Sequence, residues 1–96
     1  MRSIDVEPLE AHRYVVTISG SGDGRGATRH TVTVPGALID ELGGGRLDEA
    51  DLVRESFVFL LEREPASAIL AAFSLDVISR YFPEYVSEMR ARLTGA

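Results

Sequence analysis

The sequence predicts an α+β fold, in which an N-terminal antiparallel β-hairpin packs on a C-terminal cluster of three to four α-helices. Between residues 14 and 34, two runs alternate polar and apolar side chains, which is typical of half-buried strands. After residue 48 the apolar residues recur at helical spacing instead. A chain of 96 residues with 45% hydrophobic content suits one core, so residues 1–96 are predicted to form a single domain.

The two hairpin strands are predicted at residues 14–19 and 29–34, because both stretches are rich in valine and threonine. Their apolar faces meet in one register, which pairs Tyr14 with Val34, Val16 with Val32 and Ile18 with His30. The glycine-rich residues 20–28 between the strands are predicted to form a flexible loop. Residues 3–7 alternate as well, so a third strand that ends before Pro8 stays an open alternative.

The helical half begins with a short helix at residues 36–42, which glycines at 43–45 end. Asp48 is a good N-cap for a central helix that runs to about Glu64. The apolar arc of this helix covers about 200°, which is too wide for a surface helix, so we expect it to form the core. Three shorter helices are predicted after Pro65, at residues 66–73, at 75–82 with Ser74 as the cap, and at 83–93, followed by a frayed tail at 94–96.

The composition excludes several classes of protein. A net charge of −5 disfavours nonspecific nucleic-acid binding, because that binding depends on neutralising phosphates. The chain has no cysteine, which excludes disulfides and thiolate chemistry and agrees with a reducing compartment. No apolar run approaches the about 20 residues of a membrane helix, and the acidic N-terminal residues do not fit a secretory signal. We therefore expect a cytoplasmic protein with no membrane partner.

No group of residues predicts a catalytic site, a cofactor or a metal site. The glycine-rich loop leads into a strand, whereas phosphate-binding glycine loops lead into a helix. His12 and His30 lie about 20 Å apart in the predicted register, so we interpret both as polar residues at the sheet margin. The serines lack the sequence context of a nucleophile. We therefore expect that the protein is not an enzyme.

Part of the chain resembles the ribbon-helix-helix repressors. The resemblance lies in residues 29–63, which contain the segments RHTVTVP, LIDEL, DLVRESF and LLER. In that family two chains each contribute one strand to a ribbon that enters the DNA major groove. The resemblance implies a dimeric DNA-binding regulator or antitoxin-type protein, in which Arg29, Thr31 and Thr33 would contact DNA.

The C-terminal half is similar to a family of small, uncharacterised bacterial proteins. The similarity lies in SFVFLLEREP at residues 56–65 and YFPEY at 81–85, and it carries no functional residue with it. Tyrosine combines a large apolar area with a polar tip, so Tyr81 and Tyr85 are predicted to contact a protein partner or a second copy of the chain. We therefore expect a non-enzymatic protein-interaction module, with the DNA-binding regulator as the alternative.

Overall fold

The computed structural model of the protein describes residues 3–19, 27–42 and 48–93. Within these ranges it contains a four-stranded sheet in the order β1-β2-β3-β4. The strands are β1 (Ser3–Glu10), β2 (Arg13–Ser19), β3 (Thr28–Thr33) and β4 (Ala72–Ser74). The helices are α1 (Gly36–Leu42), α2 (Glu49–Leu61), α3 (Asp76–Tyr81) and α4 (Tyr85–Leu93), with a short 3-10 turn at Ala66–Ala68. The predicted α+β fold is confirmed.

The third strand that the sequence left open is present as β1, one of the two edge strands, which pairs antiparallel to β2. It does not end before Pro8 but continues to Glu10, with an irregular pairing between these two residues. Proline lacks the N–H that a central strand needs, and an edge strand tolerates it. A turn at residues 11–12, in which His12 has a positive φ of 60°, then leads into β2.

The register between β2 and β3 differs from the predicted one by two residues. The observed pairs are Tyr14 with Val32, Val16 with His30 and Ile18 with Thr28. The N–H of Val34 instead donates to the carbonyl of His12, at 2.7 Å, beyond the start of β2. A shift of two residues keeps the same side chains on the buried face, so the alternation of the sequence does not distinguish the two registers.

The predicted helix at residues 66–73 is wrong. Residues 66–68 form a single 3-10 turn, and the chain then extends into β4, which runs parallel to β3. The N–H of Thr31 in β3 donates to the carbonyl of Ala71 at 2.8 Å. This pairing satisfies backbone groups on the edge of β3, which a helix in this place would have left without a partner.

The other helix boundaries agree with the prediction to within a few residues. α1 begins and ends as predicted, at Gly36–Leu42. α3 begins at Asp76 and has no side-chain cap, because the predicted cap Ser74 belongs to β4. α4 begins at Tyr85 rather than at residue 83. Three predicted features lie outside the described residues, namely most of the loop predicted at 20–28, the glycine stop at 43–45 and the tail at 94–96, and Thr28 at the end of the predicted loop belongs to β3.

α2 is the core helix that its wide apolar arc predicts. The carboxylate of Asp48 accepts hydrogen bonds from the N–H groups of Ala50 and Asp51, which confirms the predicted N-cap. The helix ends at Leu61, one turn before the predicted end at Glu64. It packs against β1 and β2 on one side and against α4 on the other, which leaves no exposed surface on Leu52, Val53, Phe57 and Phe59.

Candidate functional site

An apolar groove of about 260 Å³ lies where the end of α2, the segment before β4 and α3 meet. Its walls are formed by aliphatic and aromatic side chains, among them Leu60, Ile69, Phe73, Val77, Ile78 and Phe82. Leu70 and Tyr81 also line the groove, although 54% and 71% of their surfaces are exposed. The two residues therefore form an apolar rim that is open to solvent.

The extended backbone before β4 explains why Leu70 lies on this rim. Pro65 has an extended conformation, with φ −72° and ψ 158°, so α2 does not continue into the next segment. Ile69 is extended as well and is only 7% exposed. Neighbouring side chains of an extended chain point to opposite sides, so Leu70 faces away from the core into which Ile69 points. A helix at 66–73 would have placed both side chains on one apolar face.

His30 holds the groove segment against the sheet. Its Nδ1 lies 2.7 Å from the carbonyl oxygen of Leu70, and its Nε2 lies 3.0 Å from the hydroxyl of Thr28. A carbonyl only accepts hydrogen bonds, so Nδ1 carries the proton and donates it. The ring also packs against Phe57, with 5.4 Å between the ring centroids.

The two histidines have different environments. The prediction that His30 lies at the sheet margin is wrong, because the residue is only 3% exposed. His12 lies in the exposed turn between β1 and β2, where its Nδ1 is 2.8 Å from the carboxylate of Glu49. The structure does not bring the two histidines together at one site.

The two predicted contact tyrosines also have opposite environments. Tyr81 is the most exposed large hydrophobic residue among those described, and its role as a contact stays a prediction. Tyr85 is fully buried, so the prediction that its side chain contacts a partner is wrong. Its hydroxyl lies 2.6 Å from the hydroxyl of Ser56. Ser56 uses its only proton on the carbonyl of Leu52, at 2.7 Å, so Tyr85 is the donor of this bond.

Arg29, Thr31 and Thr33 lie on the face of β3 opposite to the buried His30 and Val32, as the sequence predicts. Arg29 and Thr33 are exposed, and Thr31 is half-buried. However, β3 pairs with β2 along one edge and with β4 along the other. The strand is therefore not free to form a two-chain ribbon, and its contact with DNA stays a prediction.

A charged cluster joins α2 to α4 next to the groove. The guanidinium of Arg63 lies 3.6 Å from the centroid of the Phe59 ring, which is a close cation–π contact. Arg92 on α4 lies 2.8 Å from a carboxylate oxygen of Glu62 and 3.3 Å from one of Glu88. The hydrogen bond from Arg92 lowers the pKa of Glu62 below its ordinary value of 4.5.

This lowered pKa predicts a stability difference between the protein and Glu62→Gln that depends on pH. The ionised Glu62 stabilises the fold above pH 4.5, and this contribution is lost as the pH falls through the lower pKa of the folded state. Because Glu62 and Arg92 are close to the surface, we expect Glu62→Gln to lower the free energy of unfolding by at most about 1 kcal/mol at pH 7. Urea unfolding at pH values from 7 to 2 measures the free energy of unfolding of the protein and the variant. Glu64→Gln is the matched control for the loss of one negative charge, and a Glu62→Gln difference that persists at pH 2 would contradict the assignment.

Glu64 is the one acidic side chain among the residues that line the groove. Its carboxylate forms no hydrogen bond and no ion pair with the residues that the structure describes. The groove therefore combines an apolar interior with one available negative charge at its margin.

Comparisons of the chain with protein-family models, with curated proteins and with solved structures found no match. Within the described ranges, no helix is long and apolar enough to span a bilayer. The same ranges contain no cluster of three or more histidine, aspartate or glutamate residues that could hold a metal ion.

Sequence reasoning missed Leu70 and Glu64 as groove residues. The helical interpretation of residues 66–73 placed Leu70 against the core, and nothing in the local pattern contradicts that placement. The burial of Tyr85, by contrast, had a signal in the sequence. Tyr85 and Met89 are four residues apart on the apolar side of α4, the spacing of a buried helix face, and both are fully buried.

Proposed function

We propose that this protein is a non-enzymatic protein-interaction module, whose groove binds one apolar side chain of a partner. The observation that carries the proposal is the position of Leu70 and Tyr81, two large and exposed apolar residues on the margin of one concave surface. Tyrosine is enriched at the centres of protein interfaces. Contiguous apolar patches on a protein surface commonly mark sites of interaction.

The size of the groove supports a side-chain ligand. Pockets for metabolites and drug-sized molecules have volumes of about 300–1,000 Å³, and this groove, at about 260 Å³, is smaller. Complete burial of a leucine or phenylalanine side chain contributes about 1.5–3 kcal/mol, which is typical of one anchor residue in an interface.

The charge of the groove supports a basic residue beside that anchor. The carboxylate of Glu64 has no partner among the described residues, and the whole chain has a net charge of −5. A lysine or arginine next to the anchor would pair with Glu64 and would be attracted by the field of the protein. We therefore propose that the partner presents a leucine or phenylalanine flanked by a basic residue.

The proposal predicts binding of a short capped peptide that contains a central leucine followed by lysine. Its addition to 15N-labelled protein should shift the amide resonances of Leu70, Phe73, Val77 and Tyr81. Tyr81→Ala should weaken binding about tenfold, because it removes the largest exposed part of the rim.

Two controls make this experiment specific. Leu9→Ser removes a leucine that is 52% exposed on β1, away from the groove, and it should leave binding unchanged. Glu64→Gln should abolish the preference for the lysine peptide over one with glutamate in its place. Resonance shifts that lie outside the groove, or equal binding by Tyr81→Ala, would overturn the proposal.

The DNA-binding alternative has less support. Arg29 and Thr33 are exposed as it requires, but both edges of β3 are occupied within the chain. In addition, the acidic Asp5 lies in the same cross-strand row as Arg29, separated from it by Thr17. A carboxylate in this place disfavours the approach of a phosphate.

A further inference from the structure

The face of the sheet opposite to the helices is not covered by any described helix. The apolar residues of the other face, Val16, Ile18 and Val32, belong to one core cluster with residues of all four helices. Val15 has the opposite orientation and is not among the hydrophobic residues that pack on this core. The outer face therefore consists of the alternate residues of β1, β2 and β3.

The strand register arranges this outer face in rows. Asp5 on β1, Thr17 on β2 and Arg29 on β3 form one row, because Thr17 pairs with both of the others. Val15 lies at the centre of the next row, between Glu7 and Thr31. Asp5 and Arg29 are exposed, and neither forms an ion pair with a described residue. One row thus has a negative end, a small polar centre and a positive end.

We propose that the outer face binds the same face of a second copy of this chain. A twofold axis that runs along β2 would place β1 of each copy over β3 of the other. Asp5 of one copy would then face Arg29 of its partner, and the reverse pair would form on the other side of the axis. Thr17, Val15 and Arg13 lie on or near the axis, where each residue meets its own counterpart, and the charge of Arg13 is paired with Glu10 of its own chain.

The acidic residues of β1 and Arg29 of β3 favour this axis over one perpendicular to the strands. A twofold axis in the plane of the interface but perpendicular to the strands would place each strand over its own copy. Asp5 and Glu7 would then face the acidic strand of the second copy, and like charges in close contact are repulsive. The axis along β2 is the arrangement in which the row of Asp5 and Arg29 is self-complementary.

The dimensions of the face predict a weak dimer. The axis along β2 overlays β1, β2 and β3, and three strands spaced by about 4.8 Å and about six residues long give a face of about 14 × 20 Å. An area of about 300 Å² per copy is well below the about 800 Å² per copy of stable interfaces, so the dimer is weak and transient. The small β-branched side chains at the centre allow the two sheets to approach to about 10 Å. We therefore expect a dissociation constant of about 10–1,000 μM.

A charge swap tests the proposal. Sedimentation equilibrium at protein concentrations up to about 1 mM should show a monomer–dimer equilibrium. Asp5→Lys and Arg29→Glu should each weaken the dimer at least about tenfold, and the double variant should restore it, because the opposite charges again face each other. Arg80→Glu and Asp40→Lys are the matched controls, since both replace exposed charges on helices.

A cross-linking measurement tests the position of the axis independently. The chain contains no cysteine, so Thr17→Cys introduces a single thiol at the proposed twofold axis. A short bis-maleimide linker should join two copies of this variant much faster than two copies of Arg80→Cys. A monomer at all concentrations, or a dimer that Tyr81→Ala rather than Asp5→Lys dissociates, would overturn the proposal. The second result would place self-association at the groove.

Discussion

The replacement of Tyr85 by alanine is expected to lower the free energy of unfolding by about 3–5 kcal/mol, the largest single effect that we predict. The side chain has no exposed surface, and its ring contacts Phe59 edge-on, with 5.5 Å between the centroids. A domain of this size has a total stability of about 5–15 kcal/mol, so the variant should be partly unfolded at 37 °C. Chemical denaturation monitored by circular dichroism measures the loss.

Tyr85→Phe separates the hydroxyl from the ring. It keeps the packing on Phe59 and removes only the hydrogen bond to Ser56, whose own proton still bonds to the carbonyl of Leu52. We expect a loss of about 1 kcal/mol. Equal losses for the alanine and phenylalanine variants would contradict the view that the ring, rather than the hydroxyl, provides most of the stability.

Tyr85→Phe also has a predicted effect at alkaline pH. Burial raises the pKa of Tyr85 above its ordinary value of 10.0. Tyr85 therefore stabilises the fold in its neutral form. This contribution to the free energy of unfolding is lost as the pH rises above 10, because Tyr85 ionises there in the unfolded chain but not yet in the folded one. One such group contributes a slope of at most about 1.4 kcal/mol per pH unit. The free energy of unfolding should fall less steeply above pH 10 in Tyr85→Phe than in the unmodified protein.

The replacement of His30 by alanine is expected to lower the free energy of unfolding by about 2–4 kcal/mol. The change removes a buried ring from its contact with Phe57 and takes the hydrogen-bond donor away from the carbonyl of Leu70. The loss should be greatest at β4, because Leu70 belongs to the segment that leads into this strand.

Hydrogen exchange gives this prediction a local readout. The N–H groups of Thr31 and Leu75 donate to the carbonyls of Ala71 and Thr33, so both report on the attachment of β4. Their protection should fall in His30→Ala by more than that of the Val34 N–H. This N–H bonds to the carbonyl of His12, next to β2, and therefore does not report on β4. Uniform loss of protection at all three amides would show that His30 has no specific effect on β4. His12→Asn is the control, since asparagine tolerates the positive φ of that exposed turn.

The parts of the fold that sequence predicts well are those with local causes. α1 has its predicted bounds, and Asp48 caps α2, because a cap bonds to groups only two or three residues away. The alternation in β2 and β3 also identified the buried face of each strand. It did not identify their register, because a shift of two residues between β2 and β3 leaves the same side chains on the buried face.

The parts of the candidate site that sequence did not predict depend on distant contacts. β4 has only three residues, and it exists because the edge of β3, about 40 residues earlier in the chain, offers unpaired backbone groups. That pairing turns Leu70 outward and creates one wall of the groove. The exposure of Tyr81 likewise depends on the tertiary structure, since Tyr81 stands at helical spacing to the buried Ile78 and yet is 71% exposed.

The amino-acid sequence by itself determined the fold class, the buried face of each hairpin strand and the identity of α2 as the core helix. Each of these follows from the period of apolar residues, because every element must bury its apolar face. Only the tertiary structure decided the register of β2 and β3, the presence of β4 and the exposure of Leu70 and Tyr81. These features depend on backbone hydrogen bonds and packing between segments far apart in the chain. A local sequence pattern therefore does not predict them.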